Sequence, residues 1–92
     1  MATRILIVDD DPILRESLAA VLETRGFECM QAEDGSDGLE QLTSADFDVV
    51  ITDIEMPNMN GIELLEAANE KMIQTSFIII TAYASLETAI DA

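Results

Sequence analysis

The fold of this 92-residue chain is decided by Val49-Val50-Ile51-Thr52-Asp53-Ile54-Glu55-Met56-Pro57-Asn58-Met59-Asn60-Gly61. The stretch opens with a short apolar run, which predicts a buried strand. The Pro, Asn and Gly residues after Glu55 cannot continue that strand, so the chain must turn there. The pattern therefore places Asp53 at the end of a buried strand, where its carboxylate is a candidate nucleophile or a candidate metal ligand.

The composition is that of one folded domain. Apolar residues make up 49% and charged residues 25%, which is typical of a globular chain and argues against disorder. The 4 Lys and Arg residues and 19 Asp and Glu residues give a net charge of −15, which repels phosphate backbones and anionic membranes. We therefore expect no direct binding to nucleic acid or to a membrane, whereas a divalent cation or a basic partner suits this charge.

Several reaction classes are excluded by the residue types that are missing. The sequence has no His and a single Cys, Cys29, so an internal disulfide and the usual Zn, Ser-His and Cys-His sites cannot form. The first apolar run, Ile5 to Val8, is too short for a signal peptide or a membrane span. We accordingly expect a cytoplasmic protein.

Strand and helix patterns alternate along the chain. Ile5 to Val8 is continuously apolar, as in a parallel strand covered on both faces, and Asp11 and Pro12 are suited to cap and begin a helix. Gly26 is placed to end it. Apolar residues recur at helical spacing between these limits, at Leu14, Leu18, Val21 and Leu22.

The rest of the chain repeats the alternation. Strands are predicted over residues 27–31, 47–52 and 77–81. Ser36 is the predicted cap of the second helix, Asn60 with Glu63 forms a predicted capping box for the third, and Ser85 is the predicted cap of a fourth. The predicted apolar stripes are Leu39 and Leu42 in the second helix and Ile62, Leu65, Ala68 and Met72 in the third.

This alternation predicts an α/β fold with a parallel sheet and right-handed crossovers. If the second strand lies outside the first, the strand order becomes 2-1-3-4 and the chain reverses direction between strands one and three. Ligands of such sheets bind at the carboxyl ends of the strands, in the crevice at the reversal. Asp9, Asp10 and Asp53 are expected to converge there, with Thr81 one strand over.

Three converging carboxylates repel one another unless a cation joins them. Mg²⁺ is the expected cation, because it prefers oxygen ligands and softer ligands are scarce in this chain. A carboxylate beside Mg²⁺ can attack a phosphoryl group, with the Thr81 hydroxyl steadying the phosphoryl oxygens and the small Ala82 leaving room for them. The alternative for Asp9 to Asp11 is a solvated turn with a helix cap.

Three motifs together closely resemble the receiver domain of bacterial two-component response regulators. They are Ile5 to Pro12, Asp53 to Gly61, and Ile80 to Ala82, in this order. The resemblance covers the whole chain and implies a flavodoxin-like, doubly wound parallel sheet, whose order 2-1-3-4-5 is the one known for chemotaxis receivers. The run from Thr81 to Ala89 is also similar to receivers attached to AAA+ transcription activators.

The resemblance implies a signalling function. Asp53 would accept a phosphoryl group from a sensor histidine kinase, so the domain would be a phospho-acceptor and no enzyme beyond self-phosphorylation and autodephosphorylation. Asp10 and Asp53 would ligate Mg²⁺ directly, and Asp9 would act through water. The backbone carbonyl of Glu55 would be a further ligand.

The resemblance also implies a switch and a control of its lifetime. Thr81 would turn inward to the phosphoryl group and report its presence to the last helix and strand. Glu55 and Tyr83 would occupy positions that set how long the phosphate survives.

The chain departs from the receiver pattern at its end. A fifth strand, a fifth helix and an active-site Lys would all lie beyond Ala92, and Lys71 in the third helix cannot take that role. We therefore expect residues 1–92 to be a C-terminally incomplete receiver, truncated after the start of its fourth helix. Its fourth strand would be an exposed edge that associates with itself or a partner.

Two other functions stay open at this point. One is a phosphorylation-impaired or pseudo-receiver that serves as an interaction module, which the missing Lys favours. The other is a Mg²⁺-dependent phosphohydrolase with an aspartyl nucleophile, which Asp9-Asp10-Asp11 resembles only loosely.

Overall fold

The structure is a computed structural model that describes residues 2–56 and 58–80. The described residues form a four-stranded parallel sheet in the order β2-β1-β3-β4, which confirms the predicted order. The strands and helices alternate along the chain as β1 (Arg4–Val8), α1 (Pro12–Thr24), β2 (Glu28–Ala32), α2 (Gly35–Ser44), β3 (Val49–Asp53), α3 (Gly61–Glu70) and β4 (Ser76–Ile80).

The register of the sheet aligns the ends of its central strands. Val8, the last residue of β1, pairs with Ala32 on one side and with Thr52 on the other. The residues that follow this pair are Asp9, directly after β1, and Asp53, the last residue of β3, so both acids lie at the same edge of the sheet on neighbouring strands. The register thus creates the crevice that the strand order predicts.

The core lies on both faces of the sheet. One cluster contains Leu6, Val8 and Val50 of the sheet with Leu42 of α2 and Leu64 of α3. The other contains Ile5 and Ile7 of β1 with Ala19 of α1. The central strand β1 is therefore covered on both faces, as its unbroken apolar sequence predicts.

Helix α1 begins and ends at the predicted residues. The side chain of Asp11 accepts hydrogen bonds from the N–H groups of Ile13 and Leu14. At the other end Phe27 N donates to Leu22 O at 3.3 Å, and Gly26, with φ of 91°, begins the turn that allows this bond. This arrangement is a Schellman motif, and its left-handed residue is the position where glycine is favoured.

Helix α2 begins two residues earlier than predicted. Its cap is Asp34, whose Oδ1 accepts a hydrogen bond of 2.8 Å from Asp37 N, and the prediction of Ser36 as cap is wrong. Ser and Asp are about equally good caps, so the sequence pattern alone could not choose between them. The predicted apolar stripe is confirmed, because Leu42 is buried and Leu39 packs against the same cluster.

The predicted apolar stripe of α1 is only half correct. Leu18 and Leu22 pack against the sheet, whereas Leu14 and Val21 are 46% and 56% exposed. A 13-residue helix covers the sheet along a narrow stripe, and its other apolar side chains point away from that stripe.

The predicted stripe of α3 is only partly correct. Its member Ala68 is fully buried, as is Leu64, which the prediction did not include, whereas the predicted Ile62 is 40% exposed. Met72 lies beyond the end of the helix, has a positive φ of 59° and is 86% exposed. The buried face of α3 therefore shares Ala68 with the predicted one but contains Leu64 where Leu65 was predicted.

The edge of the sheet at β4 carries exposed apolar side chains. Among the described strands β4 pairs with β3 alone, and Ile78 and Ile80 are 50% and 37% exposed. In the described ranges no helix is both long enough and apolar enough to cross a membrane.

Candidate functional site

Three carboxylates meet at the carboxyl edge of the sheet. Asp9 and Asp10 follow β1, and Asp53 is the last residue of β3. One carboxylate oxygen from each of them lies within 4.8 Å of the others. The predicted convergence of Asp9, Asp10 and Asp53 is thus confirmed, and we call these residues the acid group.

Asp9 is the buried member of the acid group, with an exposure of only 3%. Its N–H donates to Ala32 O at 3.1 Å, and its Oδ1 accepts a bond of 2.9 Å from Asp11 N. The main chain around Asp9 is thereby held between β2 and the first turn of α1. Asp10 is exposed and Asp53 is half-buried, so the group opens to solvent on one side.

The electrostatics of the acid group favour a bound cation. Burial raises the pKa of Asp9, the N–H of Asp11 opposes that shift, and the nearby charges of Asp53, Asp10 and Asp11 raise the pKa further. Two of the three causes thus arise from keeping a negative charge where water cannot stabilise it and where other negative charges lie close. A divalent cation at the acid group would remove both of these penalties.

The main chain of Glu55 lies next to the Asp53 carboxylate. Glu55 N donates to Asp53 Oδ1 at 3.3 Å, while the Glu55 side chain is exposed. The peptide units that follow Asp53 therefore border the acid group, which is where a carbonyl ligand from Glu55 is predicted. Thr52, which precedes Asp53, is fully buried, and its hydroxyl donates to the Asp53 carbonyl oxygen at 3.0 Å.

Helix α3 begins directly against the backbone of Asp53. A Cβ atom on Gly61 would overlap the Asp53 carbonyl oxygen and would lie 3.2 Å from Thr52 Cγ2. Only glycine allows this approach. Gly61 N also donates to Ile54 O at 3.2 Å, so the two ends of the connecting loop are joined.

The predicted capping box of α3 is confirmed and holds the other end of this loop. Glu63 N donates to Asn60 Oδ1 at 2.8 Å, and Asn60 N donates to Glu63 Oε1 at 3.1 Å. These reciprocal bonds satisfy two N–H groups at the start of the helix. The loop that carries Glu55 is therefore anchored at both ends.

Three other predicted site residues and the one residue excluded from the site on sequence grounds complete the comparison. Thr81, Ala82 and Tyr83 lie outside the described residues, and their roles stay predictions. Lys71 is the C-cap of α3. Since α3 has 10 residues and starts beside Asp53, Lys71 lies about 15 Å along the helix from the site.

Sequence reasoning missed Arg15. Its Nη1 donates to the Asp9 carbonyl oxygen at 2.8 Å, and its Nε donates to Gln31 Oε1 at 3.1 Å. The available signal was a basic residue one turn into a helix that starts at an acidic strand end. That signal is weak, because a long side chain on an exposed helix can point in several directions.

Fold and site together define a class of protein: a doubly wound α/β domain with an acidic site at the point where the strand order reverses. The family model described as the response regulator receiver domain matches residues 5–92. The chain belongs to this receiver family, as the three motifs in its sequence indicate.

Similar proteins agree with this assignment. Regulatory protein AtoC of Escherichia coli K12 is 40% identical over 89 residues, which cover 97% of this chain and 19% of that protein. A CheY-like receiver domain protein from Methanospirillum hungatei JF-1 is 38% identical, with a TM-score of 0.86, and the match covers 98% of this chain and 72% of that chain. This chain thus spans about a fifth of the length of curated regulators such as AtoC.

A third relative carries a ligand. The response regulator TrrA of Thermotoga maritima, solved in complex with Mg²⁺ and BeF, is 40% identical with a TM-score of 0.84. The match covers 89% of this chain and 71% of that one. The relatives also include the DNA-binding transcriptional regulator NtrC of Klebsiella pneumoniae, which agrees with the predicted similarity to receivers of transcription activators.

Proposed function

We propose that this receiver domain accepts a phosphoryl group on Asp53 from the phosphohistidine of a sensor histidine kinase, in a Mg²⁺-dependent reaction. The observation that carries the proposal is the acid group, in which the Asp53 carboxylate ends a central strand within 4.8 Å of two further carboxylates. Membership of the receiver family supports the same function.

The acid group suits Mg²⁺ by its chemistry. All its ligand atoms are carboxylate oxygens, and the chain has no His that would favour a softer metal. In the proposal Asp10 and Asp53 hold the ion directly, Asp9 acts through water, and the Glu55 carbonyl completes the protein ligands. The ion supplies positive charge that lowers the repulsion between the carboxylates and the incoming phosphoryl oxygens.

The residues of the chain prepare Asp53 for attack. The N–H of Glu55 donates to Oδ1 of Asp53, and in the proposal Oδ2 is the oxygen that forms a bond with phosphorus. As this P–O bond forms, the P–N bond of phosphohistidine breaks, and its electron pair stays on the imidazole nitrogen. Thr81, in this proposal, donates its hydroxyl to a phosphoryl oxygen beside the small Ala82, while Tyr83 affects the lifetime of the product.

Phosphorylation by a small donor tests this function. The chain is incubated with Mg²⁺ and acetyl phosphate, and its intact mass is measured. We expect a gain of one phosphoryl group. The gain should disappear in Asp53→Asn and also when Mg²⁺ is left out, and it should persist in Asp46→Asn, which removes an exposed acid from the loop before β3. An unchanged mass contradicts the proposal and favours an interaction module, and multiple turnover of the donor favours a phosphohydrolase.

Self-association through β4 is a separate proposal. It is supported by the exposed Ile78 and Ile80 and by the pairing of β4 with β3 alone among the described strands. Light scattering over a range of concentrations tests it, and a monomer at the highest concentration contradicts it.

A further inference from the structure

Arg15 joins three elements around the acid group. It lies in the second turn of α1, and its half-buried side chain reaches back to the carbonyl oxygen of Asp9 and across to the side chain of Gln31 in β2. Gln31 is itself held, because its carbonyl oxygen accepts a bond of 2.8 Å from Gln41 Nε2 in α2. The guanidinium therefore connects the end of β1 to a side chain of β2.

The bond to the Asp9 carbonyl has a consequence for Asp10. The carbonyl of Asp9 and the N–H of Asp10 belong to one planar peptide unit. Fixing the carbonyl oxygen therefore also fixes the direction in which the chain enters Asp10. Because Asp10 is exposed, the position of its carboxylate depends on this main chain more than on packing.

We propose that Arg15 is a positioning residue, which orients the Asp9–Asp10 peptide and so places the Asp10 carboxylate for the cation. This inference rests on the proposed Mg²⁺ site. Arg15 itself touches neither the cation nor the phosphoryl group in the proposal. Its planar group bonds two oxygens on different strands at once, which the single ammonium group of lysine does less well.

The direction of the effect separates positioning from charge. If Arg15 acted only through its charge, its removal would take a positive charge away from the site and would strengthen Mg²⁺ binding. If Arg15 positions Asp10, its removal weakens Mg²⁺ binding. Loss of such an outer partner of a metal ligand typically costs about 10–100-fold in affinity.

The test compares Mg²⁺ dissociation constants of folded variants by isothermal titration. We expect Arg15→Met to bind at least about tenfold more weakly than the native chain. Arg25→Met is the matched control, since it removes the same charge from the exposed C-cap of the same helix, and its affinity should stay within about twofold. Unchanged or tighter binding by Arg15→Met overturns the inference.

A measurement without Mg²⁺ distinguishes failure of this inference from failure of the metal site. In NMR spectra of the metal-free protein, the Asp9 carbonyl ¹³C and Asp10 amide ¹⁵N resonances should move in Arg15→Met and stay in place in Arg25→Met. Arg15→Lys keeps the charge and one donor, so its two resonances should lie closer to the native positions than those of Arg15→Met. It also provides a test if Arg15→Met does not fold. If both resonances keep their native positions in the Arg15 variants, the inference is overturned, whatever the result of the Mg²⁺ titration. If the native chain does not bind Mg²⁺, the proposed function is overturned instead.

Discussion

Replacing Asp9 by Asn should stabilise the metal-free protein. Asn keeps the oxygen that accepts the N–H of Asp11, and its new NH₂ group can donate to the nearby carboxylates. Two unit charges 4.8 Å apart repel by about 3 kcal/mol at an effective dielectric constant of about 20. Water screens the exposed Asp10 and the half-buried Asp53, so we expect a gain of about 1–2 kcal/mol in the free energy of unfolding.

The gain should depend on pH. Because the pKa of Asp9 is raised in the folded state above the ordinary value of 3.8, the folded protein holds this proton more tightly than the unfolded chain does. The charged Asp9 therefore lowers stability at neutral pH, and this penalty vanishes as the pH falls through the raised pKa toward 3.8. The difference between Asp9→Asn and the native chain should shrink over the same range.

Urea unfolding at a series of pH values, with and without Mg²⁺, measures both effects. In a thermal unfolding experiment at neutral pH without metal, each kcal/mol of added stability should raise Tm by about 4–8 °C. Mg²⁺ that binds only the folded state adds to stability. It should stabilise the native chain more than the variant, because the variant lacks one carboxylate of the acid group. Asp46→Asn controls for the loss of one charge and should stay within about 0.5 kcal/mol. A variant that is no more stable than the native chain, or a difference that does not change with pH, refutes the reasoning.

Three further predictions concern the capping of α2 and the packing of α3, and each is tested by urea unfolding. Gly61→Ala should lose about 1–3 kcal/mol, because its Cβ overlaps the carbonyl oxygen at the end of β3; native stability would contradict this close approach. Asp34→Ala should lose about 1 kcal/mol and Ser36→Ala only a few tenths, and equal losses would mean that the cap is misassigned. Leu64→Ala should lose about 2–5 kcal/mol, clearly more than Leu65→Ala, and the reverse order would restore the rotation of α3 predicted from sequence.

The ends of the strands and the acid group could be predicted from the sequence because both depend on short apolar runs, whereas the strand order came from the resemblance to receiver domains. Such a run fixes where a strand ends, and in a parallel sheet all strands end at the same edge. Asp9 and Asp53 follow two such runs directly, so their convergence required no knowledge of packing. The Asn60 and Glu63 capping box was equally local, since both partners lie within four residues.

Features that depend on contacts between distant elements could not be predicted. The apolar pattern of α3 includes both Leu64 and Leu65, and it fits two rotations of the helix. The observed rotation buries Leu64 in the core and brings Gly61 against the backbone of Asp53, and no local pattern shows either contact. The contacts of Arg15 could not be predicted for the same reason, since its partners are a carbonyl in the preceding loop and a side chain on β2.

The pairing of β1 with β3 sets the distance between the carboxylates of the acid group. Strands that share a hydrogen-bond ladder lie about 4.8 Å apart whatever side chains they carry. Since Val8 pairs with Thr52, the separation of the acids that follow is inherited from the backbone. Mutations that repack the core can therefore change the free energy of unfolding without changing the spacing of the carboxylates. A one-residue shift of this register would turn the side chains of the shifted strand to the opposite faces of the sheet. It would disrupt the core and the spacing of the carboxylates together.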